Sequence, residues 1–571
     1  MKNQLWVAVI AVLLLAGGCT AAETNSGAAA QTDAVSVYIT CNGATAAVDG
    51  AGASAEGNTV TITAGGVYGL SGALDGQVII DAGKKDTVEL VLDGITITSS
   101  TGAAIYAEKA ETVIITLADG TENTLTEAYA GTQDDTSGAA LFVNDDLTIR
   151  GDGTLMVYGN VQNGIATRDN LVIESGTLTV QAQNNGIRGR DSVTVRGGWI
   201  TIDAGNDGIQ SDNTGDAEKG WIVIGDGVCN IVAAHDGIQA QSMLTVSGGE
   251  ITILAGGGYA AQNSSGGESA KALKSAGSIS ITGGTVSANG LDDAVHAADA
   301  VTVSGGELTL LSGDDGIHAD GTVNITDGTV EIENSYEGIE GTVVNIGGGT
   351  VSLLAADDGI NAADMAAAGR SDPTGGFGGW GDSGDTGLQV NITGGIIRIN
   401  AYGDGVDSNG TITMTGGELY VSGPVSSANG ALDYDRSFLI SGGVLVAAGA
   451  AGMAQTPGAD SAQPSVMVYF TQQQAAGPAY ILMDGDGNPI ISYTPEKEFQ
   501  SIVFSSPELI TGGSYCVCES TDGTLENAVR LYDFTISDTV TSVGDTVYGA
   551  PAQDRMMPPD GRPQPDSIRR P

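Results

Sequence analysis

Residues 301–322, VTVSGGELTLLSGDDGIHADGT, carry the motif that decides the fold. One β-branched run alternates through Val301 and Val303, Gly305-Gly306 turns the chain, and a second run alternates through Leu308 and Leu310. The step Asp314-Asp315-Gly316-Ile317-His318 then closes the unit. Period-two alternation reads as strands with one buried face, and paired glycines read as corners that need positive φ. The small-hydrophobic step recurs at Gly164-Ile165, Gly186-Ile187, Gly208-Ile209, Gly237-Ile238, Ala272-Leu273, Ala294-Val295, Gly316-Ile317, Gly338-Ile339, Gly359-Ile360 and Gly405-Val406. Six of these nine intervals are 21 or 22 residues, and insertions at 212–219, 257–269 and 364–387 account for the other three. A fixed period of this size in β-branched segments predicts an all-β solenoid of about 22 residues per turn.

The looser repeats before Gly159 extend the same architecture backward, with Gly102-Ala103-Ala104-Ile105 and Gly138-Ala139-Ala140-Leu141 as degenerate steps. The solenoid is therefore placed at residues 35–450, including a cap over its open end. Residues 465–548 lose the repeat and show short alternating strands with Asp-Gly and Asn-Pro turns, which predicts a small β-domain closing the far end. The Pro- and Arg-rich stretch 549–571 and the Gly-rich insertion 369–387 read as a disordered tail and a flexible loop.

Met1 to Cys19 has the form of a secretory signal: Lys2, an apolar run from Leu5 to Leu15, and small residues before Cys19. Ala16-Gly17-Gly18-Cys19 resembles a lipobox, so Cys19 is expected to be lipidated, with residues 20–34 as a polar linker. No other stretch is long and apolar enough to span a bilayer. These features predict an exported monomer, held to the cell membrane by lipid alone and exposed at the surface.

With 21 basic against 69 acidic residues, the formal charge is −48. That argues against a nucleic-acid partner. In an exported β-protein it points to bound Ca²⁺, which prefers carboxylates and carbonyls, or to an acidic coat that keeps sheets soluble. Cys41, Cys229, Cys516 and Cys518 match no zinc or redox spacing, and Cys516 and Cys518 point the same way from one strand.

Beside the hydrophobic steps run three polar columns. Asn163, Asn185, Asp207, Asp236, Lys271, Asp293, Asp315, Glu337, Asp358 and Asp404 precede the small residue, and Asp292, Asp314 and Asp357 stand one position earlier. Arg188, Gln210, Gln239, Lys274, His296, His318, Glu340, Asn361 and Asp407 follow the hydrophobic residue. Together they predict an outward polar stripe along one edge. Carboxylates stacked one strand spacing apart repel unless a counter-charge sits between them. Calcium between turns would remove the repulsion, with Asp292, Asp293, Asp314, Asp315, Asp357 and Asp358 as first ligands and Asp207, Asp236, Glu337 and Asp404 behind them. The alternative is that each Asp serves a tight corner by bonding its own backbone.

Lys271 and Lys274 break the acidic pattern. Beside a metal, either lysine could abstract a proton α to a uronate carboxylate; otherwise they pair with substrate carboxylates or neutralise Asp293. His296 and His318 should stack as neighbours and contact sugar hydroxyls, sense pH, or simply be solvated. Trp199 occupies an outward column held elsewhere by Thr, Glu and Val, where an exposed indole can stack on a pyranose.

The segments Asp93–Glu127, Asp314–Gly341 and DDGINAAD at 357–364 resemble the bacterial carbohydrate-binding β-helix family typified by a clostridial polysaccharide-binding protein. Gln474–Gly513 resembles the region often attached to it. The resemblance implies a right-handed parallel β-helix, calcium binding, and affinity for plant cell-wall polymers such as polygalacturonate or cellulose. It also implies kinship to family 9 pectate lyases, whose calcium lies among aspartates with a lysine as base. On that pattern the aspartate pairs match as ligands, and Lys271 or Lys274 is the counterpart of the base. The resulting expectation is calcium-dependent binding of acidic or neutral plant polysaccharide without cleavage. A pectate-type lyase and a surface spacer or adhesin are the alternatives.

Overall fold

The computed structural model describes residues 34–128, 138–261, 269–363 and 387–544. The signal segment with Cys19, nearly all of the linker and of the Gly-rich insertion, and the tail lie outside them. Within the described residues the chain is all strand and turn, and no helix is long and apolar enough to cross a membrane.

Three ladders of parallel pairs organise the repeat, and the chain visits them in the same order on each turn. The first is built from three-residue strands such as Ile187–Gly189, Ile209–Ser211, Ile238–Ala240, Leu273–Ser275 and Val295–Ala297. Its step residues pair in register from Ile165 through Ile187, Ile209, Ile238, Leu273, Val295, Ile317, Ile339, Ile360 and Val406 to Leu432. The degenerate steps belong to the same ladder, since Leu141 pairs with both Ile105 and Ile165. The second ladder aligns Leu171, Val193, Ile222, Leu244, Ile279 and Val301. The third aligns Val180, Ile202, Ile231, Ile253, Ala288, Leu310 and Ile332. No turn can bury its own apolar face; stacking buries these columns together in one continuous core.

Two kinds of glycine hold the turns. The second residue of each Gly-Gly pair is left-handed, as at Gly306 (φ 89°) and Gly328 (φ 95°), where a side chain is strained. The step glycines have a different cause: they are absent from the positive-φ set and are required by close approach. A Cβ on Gly186 would lie 2.3 Å from Ile202 Cγ2 and 2.7 Å from the Gly208 carbonyl oxygen. The position facing the step is Ile202, Ile231, Ile253 or Ile332 in such turns, but Ala288 where the step is Ala272, so a missing side chain there makes room for the extra methyl.

At the start, Val37–Gly43 and Thr45–Asp49 form an antiparallel hairpin. At the far end, Val444–Gly449 pairs antiparallel with Phe499–Ser505, which pairs with Ser465–Gln474. A separate four-stranded antiparallel sheet, Pro489–Tyr493, Ala479–Asp484, Ser514–Ser520 and Val529–Thr535, packs a second core. Cys41, Cys229, Cys516 and Cys518 are all free and buried, with the Cys516 and Cys518 sulfurs 3.8 Å apart.

Candidate functional site

The corner column is more buried than its polar composition suggests. Asp207, Asp236, Asp293 and Asp315 are all buried rather than solvated on an outward edge. Their role follows from the backbone. At six of these corners an N–H points back toward the preceding turn, and an unmatched buried N–H is costly. The side-chain oxygen of the preceding corner accepts it. Asn185 N–H donates to Asn163 Oδ1 at 3.1 Å, Asp207 N–H to Asn185 at 3.1 Å, Asp236 N–H to Asp207 at 3.1 Å and Lys271 N–H to Asp236 at 2.9 Å. Asp315 N–H donates to Asp293 Oδ1 at 3.2 Å, and Asp404 N–H to Asp358 Oδ1 at 2.6 Å. These carboxylates therefore brace the next turn's backbone; bonding to their own corner does not account for them.

The second oxygens divide the column into two parts. Up to Asp293 they meet cations or amides. Asp207 accepts from Gln210 Nε2 and lies 2.7 Å from His235 Nδ1. Lys274 Nζ reaches Asp236 at 2.7 Å; Lys271 Nζ lies 2.8 Å from Asp292 and 2.5 Å from Asp293. His296 Nδ1 completes the Asp293 site at 2.8 Å. Burial pushes the Asp293 carboxyl up, but His296 and Lys271 outweigh it and hold it down at about 2. Burial likewise draws Lys271 down, yet Asp293 and Asp292 prevail and raise it. An ammonium so clasped stays protonated and is poorly suited to accept a proton from substrate. The hydrogen bond to Asp207 raises His235 against the opposing effect of burial.

From Asp315 onward acids outnumber cations. His318 Nδ1 lies 2.8 Å from Asp315 and 3.4 Å from Glu340, and its ring stands 4.8 Å from that of His296, as the 22-residue spacing requires. Beyond it, Glu340, Asn361, Asp407 and Asp433 follow one another in register. Burial, reinforced by neighbouring carboxylates, pushes Asp315 up to about 9, Glu340 and Asp407 to about 8, Glu337 and Asp358 to about 7 and Asp404 to about 6. Glu337 Oε2 accepts from Asn361 at 2.9 Å, while two buried oxygens, Glu340 Oε1 and Asn361 Oδ1, have no hydrogen-bond partner. Four groups among the described residues converge closely enough to share an ion: Asp207/His235/Asp236, Asp292/Asp293/Asp314, Asp293/His296/His318 and Asp315/His318/Glu340.

Asp292, Asp293 and Asp314 thus come together, and Asp315 joins Glu340 of the polar column that follows the hydrophobic steps. Asp358 and Asp404 meet through the backbone and have Asp357 beside them as a like charge. Trp199 stands apart on the third ladder, 54% exposed, between Thr177 and Val228. Glu340, Asn361 and Asp407 add buried or half-buried oxygens to this place that the Asp-Gly pairs do not point to. Their signal was the column they share with His318.

A family model for carbohydrate-binding domain-containing proteins matches residues 56–316 and 300–371, more than half of the chain. The chain belongs to the carbohydrate-binding domain-containing family. The matched region of this family includes the corner column from Asn163 to Asp358. A carbohydrate-binding domain-containing protein of Acetivibrio thermocellus is 44% identical over 128 residues, which are 22% of this chain and 45% of the relative. The chain thus spans less than half the length of that relative. A solved structure described as the polysaccharide lyase-like protein from C. thermocellum, gadolinium derivative, is 32% identical over 51% of this chain and 97% of its own, with a TM-score of 0.36.

Proposed function

We propose that the three ladders close into a right-handed parallel β-helix and that the protein is a surface lipoprotein, tethered through Cys19. It binds acidic plant polysaccharide of the polygalacturonate type through shared calcium, without cleaving it. The observation that carries this reading is the excess of buried and half-buried acid from Asp315 onward, with Glu340 Oε1 and Asn361 Oδ1 unpartnered. A hard cation suits this donor set, since Ca²⁺ takes six to eight oxygens and both carboxylates and amide oxygens serve. Asp315, Glu337, Glu340, Asp358 and Asn361 would hold it, with Asp404 and Asp407 on the following turn. Calcium also answers the charge problem. A chain of formal charge −48 repels an acidic polymer, whereas an ion held on one side by protein carboxylates attracts uronates on the other.

Lys274 favours a second reading, a calcium-dependent lyase. Unlike Lys271 it meets one carboxylate, Asp236, and its side chain keeps 27% of its exposure. Polygalacturonate mixed with the full chain, with calcium and with chelator, separates the readings by pull-down and ultraviolet absorbance together. Retention with calcium and flat absorbance is the expected result. Rising absorbance, abolished by Lys274→Ala, would establish the lyase, and no retention in either condition would refute both.

A further inference from the structure

A second place in the molecule brings together Arg398 and Lys497, which contact aromatic rings there. Arg398, on the strand Ile396–Ala401, is directly paired with Tyr420 on Glu418–Ser422. Its guanidinium lies over the Tyr420 ring, 4.7 Å from the centroid. Tyr493, from the separate C-terminal sheet, stacks with the same Tyr420 ring, centroids 5.8 Å apart and planes at 17°. Nearby, Lys497 Nζ stands 4.3 Å from the centroid of Tyr402, which is 59% exposed, and donates to the Ala401 carbonyl. Arg398, Tyr420, Tyr493 and Glu496 line a cleft of about 250 Å³ between the last turns of the repeat and the C-terminal sheet.

Three features make this a built site. The rings are fixed: Tyr420 donates to Glu418 at 2.8 Å, and the Tyr493 hydroxyl meets Ser422 Oγ at 2.7 Å, so little freedom remains to be lost on binding. The lining acid, Glu496, is turned to Asn400 Nδ2 at 2.7 Å. And in a chain with 69 acidic residues, Arg398 and Lys497 contact rings and a carbonyl instead of carboxylates. Burial lowers Lys497 to about 8 against the opposing pull of Glu496, so its ammonium gains from an arriving anion.

A planar guanidinium accepts a carboxylate through two parallel bonds, and a tyrosine face packs against a pyranose. We propose that this cleft is a second saccharide site, separate from the carboxylate columns and independent of calcium. It takes one uronate residue, with its carboxylate on Arg398 and its ring against the tyrosines. The choice of a sugar acid rests on the carbohydrate reading above, but the site uses none of the metal-ligand candidates.

Calorimetric titration of the full chain with trigalacturonate in excess chelator tests it, with galactotriose as the neutral probe. The expected result is saturable trigalacturonate binding in chelator, weakened at least tenfold by Arg398→Ala, partly kept by Arg398→Lys, and much weaker for galactotriose. Arg398 is exposed, so an unchanged melting temperature will show that both variants fold. No binding in chelator, equal binding by Arg398→Ala, or equal affinity for the neutral sugar would each overturn the proposal. Failure of the calcium reading looks different, because added calcium would then change nothing while Arg398-dependent binding persisted.

Discussion

Replacing Asp358 by Asn isolates what the buried acids cost. Asp358 Oδ1 accepts the Asp404 N–H, and Asn163 and Asn185 do the same work from the same position, immediately before the step glycine, in earlier turns, so an amide is an established substitute. The Asn keeps the acceptor and removes the ionisable group. Burial, with Asp404, Asp357 and Glu337 nearby, raises this carboxyl to about 7. Because the folded value lies above the ordinary one, the native state holds the proton more tightly, and stability falls as pH rises from about 4 to beyond 7. Between pH 5 and pH 8, a shift from about 4 to about 7 removes about 2–3 kcal/mol, at about 1.4 kcal/mol per pKa unit. Urea denaturation in chelator at both pH values reads the difference. Asp358→Asn should lose less stability than the native chain by about that amount. With calcium present the order should reverse, because the amide is a weaker, uncharged ligand. Parallel pH dependence of the two proteins in chelator would refute the reasoning.

Lys271→Met strands Asp292 and Asp293 and should cost about 3–5 kcal/mol at neutral pH, with much of it recovered when Asp293→Asn is added; a double-mutant cycle by urea denaturation measures this. Because Asp293 is held at about 2, below its ordinary value, its contribution is present above about pH 4 and lost as pH falls toward 2, and Lys271→Met should flatten that acid limb. Gly186→Ala drives a methyl into Ile202 and should destabilise by about 1–3 kcal/mol, whereas Ala272→Gly, facing Ala288, should cost less than about 1 kcal/mol, both read as melting temperatures. Trp199→Ala should leave stability within about 0.5 kcal/mol, so any loss of polysaccharide retention by pull-down would report a sugar contact.

The ladders were legible because alternation and a constant period specify both the buried face and the neighbour one turn away. Ile165, Ile187 and Ile209 could pair in no other register without exposing their columns. The corner column was harder to read. At a corner alternation lapses, so the repeat places Asp207 above Asn185 without saying whether its carboxylate turns to water or to the next backbone N–H. Glycine was legible in number but not in cause, since Gly306 at a paired-glycine corner and Gly186 at the step serve different needs. The Arg398 cleft left no signal at all. Tyr493 comes from a segment without repeats, and only the closure of the C-terminal strands brings it to Tyr420.

The corner bonds give the stack a direction. Each carboxyl or amide oxygen waits for an N–H supplied by residues further along the chain, never by those already placed. A completed turn of this kind is thus a template with one vacant acceptor, a geometry that suits growth at the tip of a filament more than collapse around a nucleus. A chain that emerges amino-terminus first can extend this tip as it appears, turn upon turn. The last such bond runs from Gly430 N–H to Asp404, just before the C-terminal strands lay an antiparallel edge across the open sheet. Those strands act as a terminator for growth that would otherwise offer its edge to a second chain.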